Sequence, residues 1–314
     1  SVKCLVSGAT GFIGRQLCQQ LAARGDTLIA LSRSGATLPG GLPTRSLDLA
    51  GDGVDDACLQ GVDVVFHLAG IAHQHAPAAD YDSLNVDASL RLARQAASAG
   101  VRCFIFLSSV KAMGPAPGQA ARSEGELTLP RDSYGLSKWR AECGLREEFE
   151  DGEMAVVILR PALVYGAQAK GNLRLLADGV RRGLPRPPAG GARSMVALRD
   201  LVELLCLLSL EPPPGVNTWI VTDGMDYSTQ QIYDLLREAA GKGAGVGWVP
   251  RWGWRLGTRL GDALRRPAGE STWDKLFGWE RYSNQALLAA THWRPRYTLR
   301  EFLAEGWSES GSVE

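Results

Sequence analysis

The chain has 314 residues, 45% of them hydrophobic and 22% charged, the balance of a globular protein able to bury a sizeable core. Its 34 basic and 34 acidic residues cancel, which leaves no electrostatic case for a nucleic-acid partner. Six scattered cysteines (Cys4, Cys18, Cys58, Cys103, Cys143 and Cys206) form no CxxC pair; they argue against a disulfide framework or a metal site and for reduced thiols in a cytoplasmic protein.

In chain order, Val2–Ser7 reads as a strand, so no signal segment is expected ahead of it. A helix over Gly14–Arg24 opens out of a glycine-rich turn, followed by strands at Thr27–Ser32 and Val62–Leu68. Asn85–Ala99 has helical periodicity, Arg102–Ser108 reads as a strand, Tyr134–Glu148 as a long helix and Ala155–Arg160 as another strand. Near-continuous apolar strands alternating with amphipathic helices predict a parallel sheet covered on both faces, a Rossmann-type doubly wound α/β fold. After Gly166 the pattern loosens. Pro185–Gly191 and Pro212–Gly215 read as loops, Thr218–Thr222 as a strand, and Ser228–Ala240 as a helix capped by Ser228 or Thr229. Leu201–Leu210 is too short to span a bilayer. Eight of the nine tryptophans lie beyond residue 200, which marks this half as a different, smaller lobe. The expected division is a dinucleotide-binding domain over 1–166, with 195–222 returning to it, and a substrate lobe from 167–194 and 223–314.

Gly8-Ala9-Thr10-Gly11-Phe12-Ile13-Gly14 joins the first strand to the first helix. Glycines there allow a tight turn and let backbone N–H groups approach a pyrophosphate, and the helix N-terminus adds partial positive charge. The second strand ends Ser32-Arg33-Ser34. An acid there would bind the ribose 2′-hydroxyl of NAD; an arginine flanked by hydroxyls suits the 2′-phosphate of NADP. NADP is therefore the expected cofactor, with NAD as the alternative.

Tyr134 and Lys138 stand four residues apart in YGLSK, on one helix face. A tyrosine titrates near pH 10, too high for an efficient proton shuttle, and a nearby cation lowers that value. His67, ending an apolar strand, reads as a packed core histidine. His73 and His75, in a loop near the cleft, lack the spacing of a metal site, and no metal is expected.

With the glycine motif and YxxxK in place, the chain resembles the extended short-chain dehydrogenases/reductases. The resemblance covers nearly the whole chain and is strongest over residues 2–166. It implies that Asp48-Leu49 lies against the adenine, that Leu68-Ala69-Gly70 follows a strand end beside the cofactor, and that Asn85 stands behind the active site. Arg160-Pro161 would open the nicotinamide-side loop. Ser109, at the family's separation before Tyr134, would hydrogen-bond the substrate oxygen. Tyr134 would move its proton, and Lys138 would tune Tyr134 and reach the nicotinamide ribose. Ser108 reads as a strand-end residue satisfied by backbone.

Several such enzymes act on nucleotide sugars, and the stretch SSVKAMG is similar to a subgroup working on UDP-N-acetyl sugars. On that resemblance Lys111, Asn172, Leu173, Arg193, Ser194 and Val196 would contact a UDP-sugar, with Arg259, Arg265 or Arg266 as a further diphosphate cation. A 4-keto reductase with exchangeable NADPH is expected, with a 4-epimerase retaining NAD as the alternative. A dehydrogenase for steroids or other hydrophobic alcohols would use the amphipathic, aromatic stretch Trp248–Leu264 as its pocket or touch a membrane surface with it. A non-catalytic NADP sensor is disfavoured by the tyrosine–lysine pair. Relatives of this kind often form homodimers through two helices.

Overall fold

The computed structural model describes residues 1–51, 53–70, 77–166, 172–265 and 270–305. The strands in chain order are β1 Lys3–Ser7, β2 Thr27–Ser32, β3 Arg45–Ser46, β4 Val64–His67, β5 Cys103–Leu107, β6 Ala155–Pro161, β7 Leu163–Tyr165, β8 Ala192–Ala197, β9 Val216–Val221, β10 Asp226–Tyr227 and β11 Trp279–Glu280. Seven of them form one sheet in the order β3-β2-β1-β4-β5-β6-β9, with every pairing parallel. Strand order reverses beside β1, the point at which a doubly wound sheet opens a crevice at its C-terminal edge.

Side chains alternate across this sheet. Cys4, Val6, Phe66, Ile105, Val157 and Leu159 enter one core, with Leu17 and Leu21 of the Phe12–Ala23 helix and Leu201, Leu204 and Leu208 of the Leu198–Leu210 helix. Leu5, Val65, Phe104, Phe106, Val156 and Ile158 enter the other. There they meet Leu92 and Ala96 of the Ala88–Ser98 helix and Ala141 and Leu145 of the Ser133–Phe149 helix. Both faces are covered, which is why these strands are apolar throughout.

Two local readings are refined. The Asn85 region does not begin as an α-helix: Asp82–Asp87 is a wider, π-helical turn running into Ala88–Ser98. Ser228 caps the Thr229–Ala239 helix in a reciprocal capping box with Gln231. A second, smaller sheet joins β10, β8 and β11, with β7 also on β8. Its strands are short, and its core, including Tyr165, Leu176, Tyr233 and Phe302, is separate from those of the main sheet. No helix among the described residues is long and apolar enough to cross a membrane. All six cysteines are free thiols, and burial pushes Cys4, Cys18 and Cys103 up to about 12.

Candidate active site

Gly8 follows β1 directly, with φ +68°. A Cβ there would come within 2.8 Å of the Ala69 nitrogen, after β4. At Gly14 a Cβ would meet the Gly8 carbonyl oxygen at 2.1 Å. A side chain at Gly8 would push the turn off the backbone that follows β4, and one at Gly14 would force the helix off the turn. Gly11 stands at the N-cap of the Phe12–Ala23 helix with no side-chain cap and no acid in the first turn, so its free N–H groups present an uncompensated positive end. Thr10, Phe12 and Ile13 are half-buried around this turn. A dinucleotide fits the cradle: its pyrophosphate would lie on the Gly8–Gly14 turn.

At the adenosine end, Arg33 is exposed just past β2. The neighbouring Ser32 is buried, and its hydroxyl is taken up by Thr44 Oγ1 at 2.8 Å and the Gly35 N–H at 2.9 Å. Asp48 is exposed and turned onto the Ala50 N–H at 3.1 Å, while Leu49 is buried in the second core.

The structure brings Gly70, Asn85 and Lys138 together. A Cβ on Gly70 would meet Asn85 Oδ1 at 2.9 Å and Lys138 Nζ at 3.2 Å. Asn85 donates to Ser137 Oγ at 3.0 Å, fixing the π-helical turn against the Tyr134 helix. Lys138 donates to the Leu107 carbonyl at 3.0 Å and lies 4.9 Å from the Phe106 ring centre. Burial pushes its ammonium down to about 8. Pro161 is buried at the end of β6.

Tyr134 lines a cavity of about 680 Å³, with the Ser109 hydroxyl near enough to its phenol to favour the charged form. Ser109 itself caps the Val110–Met113 turn by accepting from the Lys111 N–H at 3.1 Å. The electrostatics of the phenol differ from the sequence expectation. Burial raises its pKa, the Ser109 hydroxyl and the Lys111 charge pull it down, and the net direction is upward. Desolvation disfavours the phenolate more than Ser109 and Lys111 favour it, and Lys138, the cation expected to tune this phenol, is not among the groups that shift it.

Ser108 is satisfied by a side chain rather than by backbone. It donates at 2.5 Å to Glu142, a fully buried carboxylate that also takes Arg160 Nη2 at 2.6 Å and Arg146 Nη2 at 2.5 Å. Arg160 is thus a buried charge behind the site. His67 is 1% exposed and lies between Ser7 Oγ at 2.7 Å and Ser89 Oγ at 2.8 Å, a packed core histidine as expected. His73, His75 and Arg266 lie outside the described residues, as does the side chain of Asn172, which opens the Asn172–Arg181 helix.

The substrate-side residues divide. Lys111 lines the cavity with its Nζ 3.3 Å from Glu280 Oε1. Arg193 pairs in register with Glu280 across β8 and β11; burial lowers its pKa, opposed by Glu280 and Glu270. Ser194, by contrast, spends its hydroxyl inside the small sheet, accepting the Tyr282 N–H at 2.8 Å. Val196 and Leu173 are core residues, 0% and 5% exposed. The structure therefore does not bring Ser194, Val196 or Leu173 to the cavity as it brings Lys111. Arg259 and Arg265 are exposed on the Arg251–Arg265 helix, and none of Trp248–Leu264 lines the cavity. Sequence reasoning missed Tyr81, whose ring centre lies 6.3 Å from that of Tyr134, and the acids Glu270 and Glu280. No local motif marks these residues.

The family model described as the NAD dependent epimerase/dehydratase family matches residues 4–216. UDP-glucose 4-epimerase of Vibrio cholerae is 31% identical over 309 residues, covering 95% of this chain and 92% of that protein. A 4-hydroxy-2-methyl-3-oxo-4-farnesyl-3,4-dihydroquinoline-1-oxide ketoreductase of Stigmatella aurantiaca is 28% identical, covering 84% and 81%. The solved structure of MoeE5 in complex with UDP-glucose and NAD superposes with a TM-score of 0.74 at 25% identity, covering 98% of each chain. The chain belongs to the NAD-dependent epimerase/dehydratase family. It is a nicotinamide-dependent enzyme of the extended short-chain dehydrogenase/reductase type.

Proposed function

We propose that this enzyme is a reductase acting at C4 of a nucleotide sugar, of the UDP-4-keto-N-acetylhexosamine type, with NADPH as the exchangeable reductant. The observation that carries this reading is the Tyr134 phenol on the wall of the cavity, with the Ser109 hydroxyl beside it and Lys138 one helical turn behind it. A substrate carbonyl would accept hydrogen bonds from Ser109 and Tyr134. As charge develops on the oxygen, Tyr134 gives up its proton. Burial disfavours the phenolate, which suits a proton donor. Lys138 supplies a buried cation beside the phenol and, through Gly70, stands where a ribose would pass. Bound nicotinamide supplies the hydride. Lys111 and Arg193 are the cations facing an anionic substrate, with Asn172 at the mouth of its helix. Arg33, exposed where an acid would serve NAD, supports the NADPH preference.

One specific observation favours a second reading, a 4-epimerase that retains NAD: the Vibrio cholerae relative is a UDP-glucose 4-epimerase. Titration with NADPH and NADH, then turnover on UDP-4-keto and UDP-4-hydroxy N-acetyl sugars, separates the two. The reductase should bind NADPH more tightly by about 1.5–3 kcal/mol, a preference that Arg33→Ala removes. UDP alone should raise the melting temperature. Purification with non-exchanging NAD, and interconversion of C4 epimers without added cofactor, would establish the epimerase instead.

A further inference from the structure

The Arg251–Arg265 helix buries none of its residues. Its inner side is nonetheless fixed. Trp254 meets the Phe277 ring edge-on at 6.2 Å, and Asp262 accepts from the Thr272 N–H at 3.1 Å and the Thr272 hydroxyl at 2.5 Å. The outer side carries Trp252, Leu256, Leu260 and Leu264, 71, 51, 57 and 87% exposed. Four-residue spacing places them along one ridge. Val246 and Trp248, 70 and 72% exposed, precede the helix. A single exposed leucine needs no explanation, but a row of this kind does.

The cations follow the same spacing. Arg251, Arg255 and Arg259 each precede a ridge residue, forming a second row beside the apolar one. Arg251 and Arg255 stack over the Trp273 ring at 5.2 Å each, which holds them at the surface. Among the described residues no ion pair engages these three arginines. The one acid of the helix, Asp262, is turned onto Thr272. In a chain whose formal charge is zero, this surface is locally basic.

We propose that this helix is a docking surface for an anionic phospholipid bilayer, lying flat with its tryptophan–leucine ridge in the headgroup boundary and its arginines on lipid phosphates. The partner is argued from charge complementarity. Apolar ridge, aromatic residues and flanking arginines are what an interfacial helix requires, and each basic residue adds attraction to acidic lipid. A second copy of this chain fits less well, because an antiparallel two-fold contact would set arginine row against arginine row. Glu270, Ser271 and Asp274, which follow the helix in the chain, line the cavity beside Tyr134, so docking would hold the cavity close to the membrane surface. The inference stands apart from the choice of reductase or epimerase.

The test is vesicle flotation of the full chain on phosphatidylcholine vesicles with and without phosphatidylglycerol. The protein should float with the anionic vesicles, hardly with the neutral ones, and less as salt is raised. Leu256→Glu/Leu260→Glu should lower partitioning by more than about tenfold, and Arg259→Glu by about fivefold. Melting temperature and cofactor affinity should not change, since all three side chains are exposed. Absence of flotation with anionic vesicles, or unchanged flotation of the double variant, would overturn the proposal. So would a wild-type dimer that fails to float and that Leu256→Glu/Leu260→Glu turns into a monomer, which would assign the ridge to a second copy of the chain.

Discussion

The main sheet and the small lobe solve the same problem, placing chemistry at a cavity, by opposite means. Around the main sheet the functional groups come in short local units: Gly8 to Gly14 on one strand–helix turn, Tyr134 and Lys138 on one helix face. The fold has only to bury the apolar sides of those units. On the small-lobe side Arg193, Glu270 and Glu280 come from three separated segments, and they meet Lys111, from the turn after β5, only in the folded protein. The first arrangement is rigid and its function is sensitive to single atoms. The second balances charges at a partly wet surface, where single changes are partly screened.

The largest expected effect lies in the first arrangement. Tyr134→Phe removes the proton donor while keeping the ring beside Tyr81, so turnover should fall by about 10²–10⁴-fold, with cofactor binding retained. Steady-state rates and cofactor titration on the same preparation check both halves. A variant keeping more than half its activity would break the assignment of Tyr134 as the acid.

Next comes the ion cluster behind the site. Glu142 is fully buried and holds Ser108, Arg146 and Arg160. Removing the carboxylate with Glu142→Ala leaves Arg160, 1% exposed, as a buried charge without its counter-ion. Loss of one partner of such a pair costs about 3–5 kcal/mol. Denaturant unfolding should show that loss, whereas Ser108→Ala, which removes one of several bonds to a carboxylate that stays paired, should cost less than about 2 kcal/mol.

This contrast also explains what the sequence could tell. Period and composition locate β1, β2, β4, β5 and β6 because all are buried on both faces, and the glycine and YxxxK spacings are readable because each unit is local. Arg160 is the instructive exception. It follows five apolar residues in β6, and nothing local says that its counter-ion is Glu142, on the helix packed over the strand. Likewise Ser194 and Val196 lie close in sequence to Arg193, yet alternation along β8 and the pairing with Tyr282 turn them inward. The π-helical turn at Asn85 has no compositional mark at all. In the small lobe, strands of two residues such as β10 and β11 carry too little periodicity to be seen, and Glu270 and Glu280 acquire meaning only from their neighbours in space.

A smaller effect separates structure from catalysis within the main sheet. Burial pushes His67 from 6.5 down to about 3. The unfolded chain takes up a proton near the ordinary histidine value, and the folded chain does so only near the lower one. The stability that the neutral ring contributes is therefore whole above about pH 6.5 and is lost as pH falls towards 3, by roughly 1.4 kcal/mol per pH unit. Unfolding free energies at pH 7 and pH 5 should differ by less in His67→Gln than in the unaltered protein. An identical pH dependence would mean that His67 is not the group responsible.

The smallest effect sharpens the comparison from the other side. Glu280 lies 3.3 Å from Lys111, with the two side chains 26 and 39% exposed, and it also faces Arg193 and Glu270. A partly exposed pair of this kind is worth about 0.2–1 kcal/mol, so Glu280→Gln should leave the fold intact. Its consequence depends on what the cavity holds. If the occupant is an anionic nucleotide sugar, neutralising Glu280 frees Lys111 and Arg193 to act on it and removes a like charge. KM should then fall by up to about fivefold, with kcat nearly unchanged because no reacting atom is touched. The gain should shrink as salt screens the cavity. If Glu280 instead accepts hydrogen bonds from substrate hydroxyls, the amide holds them less well and KM should rise, with little dependence on salt. The sign of the change in KM, measured at low and high ionic strength, therefore decides whether this carboxylate serves as a counter-ion to Lys111 and Arg193 or as a substrate contact in its own right.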